Sequence, residues 1–189
     1  MPHAPTFRRT QPSFNGGRST SRSSIPVSVQ MLCCIAVDML DNKLEMAKSF
    51  GATDTVNASK VDPVEAIKEL TGGPGVHYAF EAIGLVEAPF LQSIQCTRKR
   101  GVTIWVGHAP LDTIVHIDAR TIMQEKMVMG SMYGSARPQI EFPRLLNLYK
   151  EGKLMLDQLI TRTYPLSGAN EAFTALKNGE VARSVLSLN

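Results

Sequence analysis

From Cys33 onward, short apolar runs alternate with amphipathic stretches of about ten residues, and this restricts the fold to strands crossed by helices. The run 33–38 is followed by 41–50, where Leu44, Ala47 and Phe50 recur at helical spacing and Gly51 supplies the stop. A short β-branched strand is expected at 53–57. Asp62 and Pro63 open a helix over 63–71, with the cap preceding a proline at the first helical position. The turn Gly72-Gly73-Pro74-Gly75 leads into a strand at 76–82, a helix at 86–97, a turn at Arg100-Gly101 and a strand at 102–107. Alternation at 113–117 precedes a helix at 119–125 and a strand at 127–133. Beyond Gly134 the pattern changes. Helices at 141–151 and 168–178 flank a connecting segment, and a last short strand runs through Val185. No repeat is present.

This order means βαβ units and a parallel sheet. The chain has 189 residues, 43% hydrophobic and 20% charged, as expected of a globular domain with an appendage. No apolar stretch reaches the roughly 18 residues of a membrane span, so no membrane partner is expected. Residues 1–30 hold four arginines and no acid, and are rich in Ser, Thr, Pro and Gly. They read as a disordered or non-homologous leader, with an organelle transit peptide as the alternative. The net charge of +3 rests on that leader, so no folded basic face for nucleic acid is expected. Three cysteines, two of them adjacent, make no disulfide framework and fit a reducing compartment. The expected location is the cytoplasm, or an organelle matrix if the leader is a transit signal. Cys33 and Cys34 on one strand point to opposite faces, unsuited to one metal, and are expected to be buried as small apolar side chains.

Asp38 closes the apolar run 33–37. An acid at the carboxyl end of such a strand is where a dinucleotide-binding fold grips the adenosine ribose. About 20 residues upstream that fold has another strand and a Gly-x-Gly-x-x-Gly turn for the pyrophosphate. The stretch 18–24, Arg-Ser-Thr-Ser-Arg-Ser-Ser, is neither. Gly72-Gly73-Pro74-Gly75 is a turn between helix and strand, and its proline removes one amide donor that a phosphate loop needs.

Six segments in order, IAVDMLDNKLEMAKSFGATDTVNAS, FEAIG, VTIWVGHAP, MVMGSMYGSARP, LITRTYPLSGANEAF and GEVARSVL, closely resemble the carboxyl-terminal half of NAD-dependent zinc-type medium-chain alcohol dehydrogenases. They run over about residues 35–187. The resemblance implies an α/β fold: an incomplete doubly wound, Rossmann-type parallel sheet lacking its first strand and glycine-rich turn, with a C-terminal remnant of the catalytic domain. Residues 33–133 are then a partial NAD-binding domain and 134–189 the C-terminal segment of the catalytic domain. A methyltransferase of similar topology also uses an acid after its second strand, but the run YPLSGANEAF…GEVARSVL resembles the dehydrogenases specifically.

The resemblance carries site residues with it. Asp38 matches the ribose-binding acid, whose carboxylate accepts both ribose hydroxyls and repels a 2′-phosphate, favouring NAD over NADP. Lys43 matches the basic residue beside the adenosine ribose; read alone it is a solvated helix lysine. Val106 and Gly107 match backbone lining the nicotinamide pocket. Ser131 and Tyr133 match the pair whose main chain bonds the carboxamide. Arg183 matches an arginine on the pyrophosphate, where a guanidinium fork suits phosphate oxygens. The family's zinc ligands, a cysteine, a His-Glu pair and a second cysteine, find no counterpart, and neither does its four-cysteine structural zinc motif. No Cys-x-x-Cys or His-Glu occurs, and His3, His77, His108 and His116 have no ligand partner at workable spacing. No residue is assigned a catalytic or metal-binding role.

The absent strand is the central one in the order 3-2-1-4-5-6. Its loss separates the strand ending at Asp38 from the strand at 76–82, at roughly 0.5–1.5 kcal/mol per lost hydrogen bond. The alternation Ile25-Pro26-Val27-Ser28-Val29 lacks a helix-length crossover to Cys33, which a parallel neighbour requires. Two readings follow. The first is a truncated, inactive member of the family. The second is a non-catalytic module that pairs with itself, or with an intact homologue, through the edge strand 127–133. The purified chain is expected to retain no stoichiometric zinc after dialysis; elemental analysis finding one zinc per chain refutes that expectation.

Overall fold

The structure, a computed structural model, describes residues 33–188. The leader 1–30 and the run 25–29 lie outside the described residues. Five strands follow the expected order: β1 (Ile35–Asp38), β2 (Asp54–Asn57), β3 (Val76–Glu81), β4 (Thr97–Trp105) and β5 (Met127–Gly130). They alternate with α1 (Asp41–Ser49), α2 (Pro63–Leu70), α3 (Glu87–Gln95) and the single turn α4 (Ala119–Ile122). After α5 (Pro138–Lys150), strand β6 (Arg162–Pro165), α6 (Ala169–Lys177) and β7 (Ser184–Ser187) complete the chain. No helix among the described residues is long and apolar enough to cross a membrane.

Every strand pair is parallel, but the strands form separate sheets. β1 pairs with β2, β3 with β4 and β4 with β5, while β6 and β7 stand apart from both groups. In the order 3-2-1-4-5-6 these first two sheets are 2 with 3 and 4-5-6. Among the described residues no strand joins β1 to β3. Among the described residues the doubly wound sheet is therefore interrupted at its centre, where that order places strand 1.

Helix α2 spans the interruption. Asp62 caps it, its Oδ1 accepting the amides of Val64 at 2.8 Å and Glu65 at 3.1 Å, so the cap signal works as expected. Its Val64 and Ile67 join Val56 and Cys96 in a buried cluster onto which Ile35 from one sheet and Val76 and Ala79 from the other pack. Burial pushes the Cys96 thiol above its ordinary range.

On β4, a buried hydroxyl network replaces part of the apolar contact. The Thr97 hydroxyl donates to the Ser93 carbonyl at 2.7 Å and lies 2.9 Å from the Thr103 hydroxyl. Trp105 Nε1 donates to Ser93 Oγ at 3.2 Å, and the Trp105 ring meets Phe90 edge-on at 4.8 Å between centroids. These bonds satisfy polar groups that burial would otherwise leave costly.

Several expectations need correction. The helix expected at 86–97 ends at Gln95, because the chain reverses and Thr97 already belongs to β4. Arg100-Gly101 lies inside β4 at a register shift, with Arg100 at a φ of 61°. The helix expected at 119–125 closes after one turn at Ile122. β5 stops at Gly130, since Tyr133, Gly134 and Ser135 all take positive φ and turn the chain away. The connecting segment after α5 contains β6, which pairs with β7. Cys33 and Cys34 are exposed and precede β1, and only Cys96 is buried.

Candidate functional site

In a parallel sheet, ligands gather where the strands' carboxyl ends open into loops. Here that rim comprises Asp38, Asn57, Glu81, the segment Trp105–Gly107 and the residues after Gly130.

Asp38 ends β1 half-buried, and its Oδ1 accepts the Leu40 amide at 2.9 Å. It therefore makes the local turn into α1, while its second oxygen has no partner among the described residues. Leu40 is the α1 cap residue and brings no side-chain cap; the Asp38 bond is an Asx-type turn that fixes the chain's entry into the helix. Beside it, Asp41 accepts the Lys60 ammonium at 2.7 Å and the Asn57 side-chain amide at 2.6 Å. Lys60 first, then Asn57, holds the Asp41 carboxyl below its usual range. A depressed carboxylate stabilises the fold above the unfolded pKa and loses that contribution as pH falls through the folded one.

Lys43 is not a solvated helix lysine. Its ammonium donates to the Val181 carbonyl at 2.5 Å, and the neighbouring Asn42 side-chain amide donates to Gly179 O at 3.1 Å. These contacts dock the start of α1 on the turn after α6, where Val181 is 1% exposed. Gly179 holds a φ of +71°, a left-handed conformation that strains any residue with a Cβ. The same turn leads to Arg183, whose carbonyl accepts the Thr161 amide at 3.0 Å and whose side chain is exposed. Asp38, Lys43 and Arg183 thus belong to one corner of the molecule.

A second group forms at the ends of β3 and β4. Val106 and Gly107 both donate their amides to the Glu81 carbonyl, at 2.8 and 3.0 Å. The Glu81 side chain is 3% exposed, and its Oε1 accepts the amides of Ile83 and Gly84, each at 2.8 Å. Its Oε2 is buried without a hydrogen-bond partner. A Cβ on Gly107 would stand 2.2 Å from Gly84 N and 2.4 Å from that Oε2. Gly84 and Gly107 are glycines because two loops meet backbone to backbone. Glu81 and Gly84 escaped sequence reasoning as individual site residues. The pattern acid-x-x-Gly directly after a strand, a carboxylate closing a turn on its own backbone, is the signal that finds them.

Ser131 extends the ladder one step, its amide donating to the Trp105 carbonyl at 2.8 Å. Tyr133 lies off the strand and is 93% exposed. The structure therefore gathers the residues singled out in the sequence into two groups, one around β1 and one around β3 to β5. Elsewhere on the rim, the His116 amide at 2.7 Å and its ring Nδ1 at 3.0 Å both reach Glu87 Oε1, and the amide contact first holds the Glu87 carboxyl below its usual range. Among the described residues no group of three or more His, Cys, Asp or Glu is placed to hold a metal ion.

This is the carboxyl rim of a dinucleotide-type α/β fold. Residues 32–151 match the family of zinc-binding dehydrogenases, and the chain belongs to that family. It is 32% identical over 157 residues to alcohol dehydrogenase 1 of Pisum sativum, across 82% of this chain and 41% of that protein. It superposes on benzyl alcohol dehydrogenase from Acinetobacter calcoaceticus with a TM-score of 0.77 at 33% identity, across 83% of this chain and 42% of that one. A zinc-binding dehydrogenase from Sinorhizobium meliloti 1021 bound to NADP gives a TM-score of 0.67 at 28% identity, across 75% and 41% of the two chains. The chain spans about two-fifths of the length of these relatives.

Substitution of Gly107 by alanine is expected to lower stability by about 1–3 kcal/mol through backbone overlap, and Glu81→Ala by about 1–3 kcal/mol by stranding two turn amides. Urea unfolding at neutral pH measures both. Either variant matching the parent midpoint refutes the account of this crevice.

Proposed function

We propose that this chain is an adenosine-binding segment of an NAD-dependent zinc-type alcohol dehydrogenase, one that grips the cofactor weakly and transfers no hydride by itself. The observation that carries the reading is that no strand joins β1 to β3 among the described residues. That place is where the pyrophosphate would rest on amides at a helix N-terminus. Asp38 keeps one carboxylate oxygen open for a ribose hydroxyl, and Arg183 offers an exposed guanidinium in the same corner. Bound NAD supplies a hydride acceptor and zinc polarises an alcohol in intact relatives; the described residues fit the ribose end of the first and present no ligand set for the second. The cysteine usage supports the cytoplasm as its location.

The negative charge of Asp38 favours NAD over the 2′-phosphorylated cofactor found in the Sinorhizobium meliloti relative. Calorimetry is expected to show NAD binding no tighter than about millimolar, roughly −4 kcal/mol, and weaker still in Asp38→Ala. Micromolar affinity that disappears in Asp38→Ala overturns the reading, because it requires a rebuilt phosphate site.

One observation favours a second role, association through the edge strand. β5 carries no charged side chain, and Met127 and Met129 are exposed. Because Ser131 bonds Trp105, residues 127 and 129 face β4, and the main-chain groups of Val128 and Gly130 face outward. Such an edge invites pairing around a twofold axis with a second copy or an intact homologue. Light scattering at tens of micromolar is expected to find a dimer or larger species, and Val128→Pro, which removes an outward donor, to reduce it. A clean monomer, or an unchanged size in the variant, refutes the association.

A further inference from the structure

Near the amino-terminal ends of β3 and β4, away from the carboxyl rim, lies an open cleft of about 750 Å³. Small-molecule sites span about 300–1,000 Å³. Its walls are α2, the Gly73-Pro74 turn into β3, the end of α3, the start of β4 and the residues around α4. Lys68, Arg98, Lys99 and Lys126 line it, against Asp62 and Glu65. Both acids are engaged: Asp62 Oδ1 caps α2, and Glu65 pairs with Lys68 at 2.9 Å. Arg98 and Lys99 are exposed, and among the described residues neither side chain meets an acid. Residues 1–32 contain no Asp or Glu that could neutralise them.

A built loop carries these two cations. Val76 pairs with Thr97 and Tyr78 with Val102, so residues 98–101 form an excursion opposite His77 alone. Arg100 secures it: its amide donates to Gln124 O at 3.2 Å, and its Nε donates to Glu125 Oε2 at 2.8 Å. A Cβ at Gly101 would stand 2.9 Å from the Arg98 carbonyl oxygen, so the excursion closes tightly on glycine. On the same cleft, Lys126 donates to the Ile94 carbonyl at 2.7 Å, near the end of α3. Burial first, and the like charge of Lys68 with it, holds the Lys126 ammonium below its ordinary range. A partly buried ammonium beside a second cation is a group that a bound anion stabilises.

We propose that this cleft binds a small phosphorylated polyhydroxy compound, a sugar phosphate by chemical class, with its phosphate on Arg98 and Lys99. A guanidinium and an ammonium on adjacent residues suit phosphate oxygens, the first as a fork and the second as a point charge. Gln95, Thr121 and Gln124 add neutral donors and acceptors for hydroxyl groups. The body of the ligand is polar because only Val64, Gly73 and Pro74 of the lining residues are not. No aromatic side chain lines the cleft, so a nucleobase has no ring to stack on. The carboxylates of Asp62 and Glu65 on one wall oppose the continuous phosphate row of a nucleic acid. The site is separate from the rim that holds Asp38, Val106 and Gly107, because it opens at the start of β4 rather than at its end.

The test uses the full chain at about 150 mM salt, where a Debye length of about 8 Å suppresses diffuse attraction. Calorimetry is expected to show saturable binding of glucose 6-phosphate, none of glucose, and weaker binding of inorganic phosphate by about tenfold or more. Arg98→Gln combined with Lys99→Gln, two exposed positions, is expected to weaken glucose 6-phosphate by about tenfold or more. Replacing Arg8, Arg9, Arg18 and Arg22 by glutamine is expected to leave its affinity unchanged. On the unmodified chain, which depends on no variant folding, the ligand is expected to shift the amide resonances of Arg98, Lys99 and Lys126. The proposal is overturned by absence of saturable binding, or by glucose or inorganic phosphate binding as tightly. It is also overturned by a short DNA duplex displacing the sugar phosphate at lower concentration, or by equal loss when the four leader arginines are replaced.

Discussion

A parallel sheet is held by backbone hydrogen bonds that run from strand to strand, and among the described residues that continuity stops at the centre of this sheet. β1 with β2 and β3 with β4 and β5 each complete their internal ladders. The groups of Ile35, Val37, Tyr78 and Phe80 that would join the two halves have no ladder partner among the described residues. Each such bond contributes about 0.5–1.5 kcal/mol, and a whole domain is stable by only about 5–15 kcal/mol. What keeps the halves in register is side-chain packing. Helix α2 lays Val64 and Ile67 across both, and the buried cluster around Val56 and Cys96 is common to them.

The division of the sheet divides the rim residues into two groups. One is built on α1 and the turn after α6, through Lys43 with Val181 and Asn42 with Gly179. The other is built on the Glu81 turn, which fixes Gly84 against His108 and Gly107 against Gly84. Each group is locally well determined by its own hydrogen bonds and close backbone contacts.

The exposed apolar surface follows the same logic. None of the residues of α5 is buried, although the helix carries Ile140, Phe142, Leu145, Leu146 and Leu148. Tyr78 and Phe80 stand exposed on β3. Apolar faces of this size are normally covered.

Local chemistry made much of this legible from the sequence. Asp62-Pro63 opened α2, Gly51 closed α1, and the alternation of apolar runs set the strand order, because caps, stops and periodicity depend on neighbours in the chain. Asp38 at the end of β1 was legible for the same reason, from its position after an apolar run. Tertiary contact decided the rest. Tyr133 left its strand through a run of positive φ, and β6 emerged only because β7 lies beside it. Cys33 and Cys34 were left exposed, since burial depends on what lies opposite them. Lys43 found the Val181 carbonyl 138 residues away, and Glu81 became a buried acceptor for its own turn. The sequence determined which segments are strands and helices and which acid ends the second strand of the fold; only the packed structure decided which main-chain groups find partners, because a hydrogen bond between distant segments is encoded in neither segment alone.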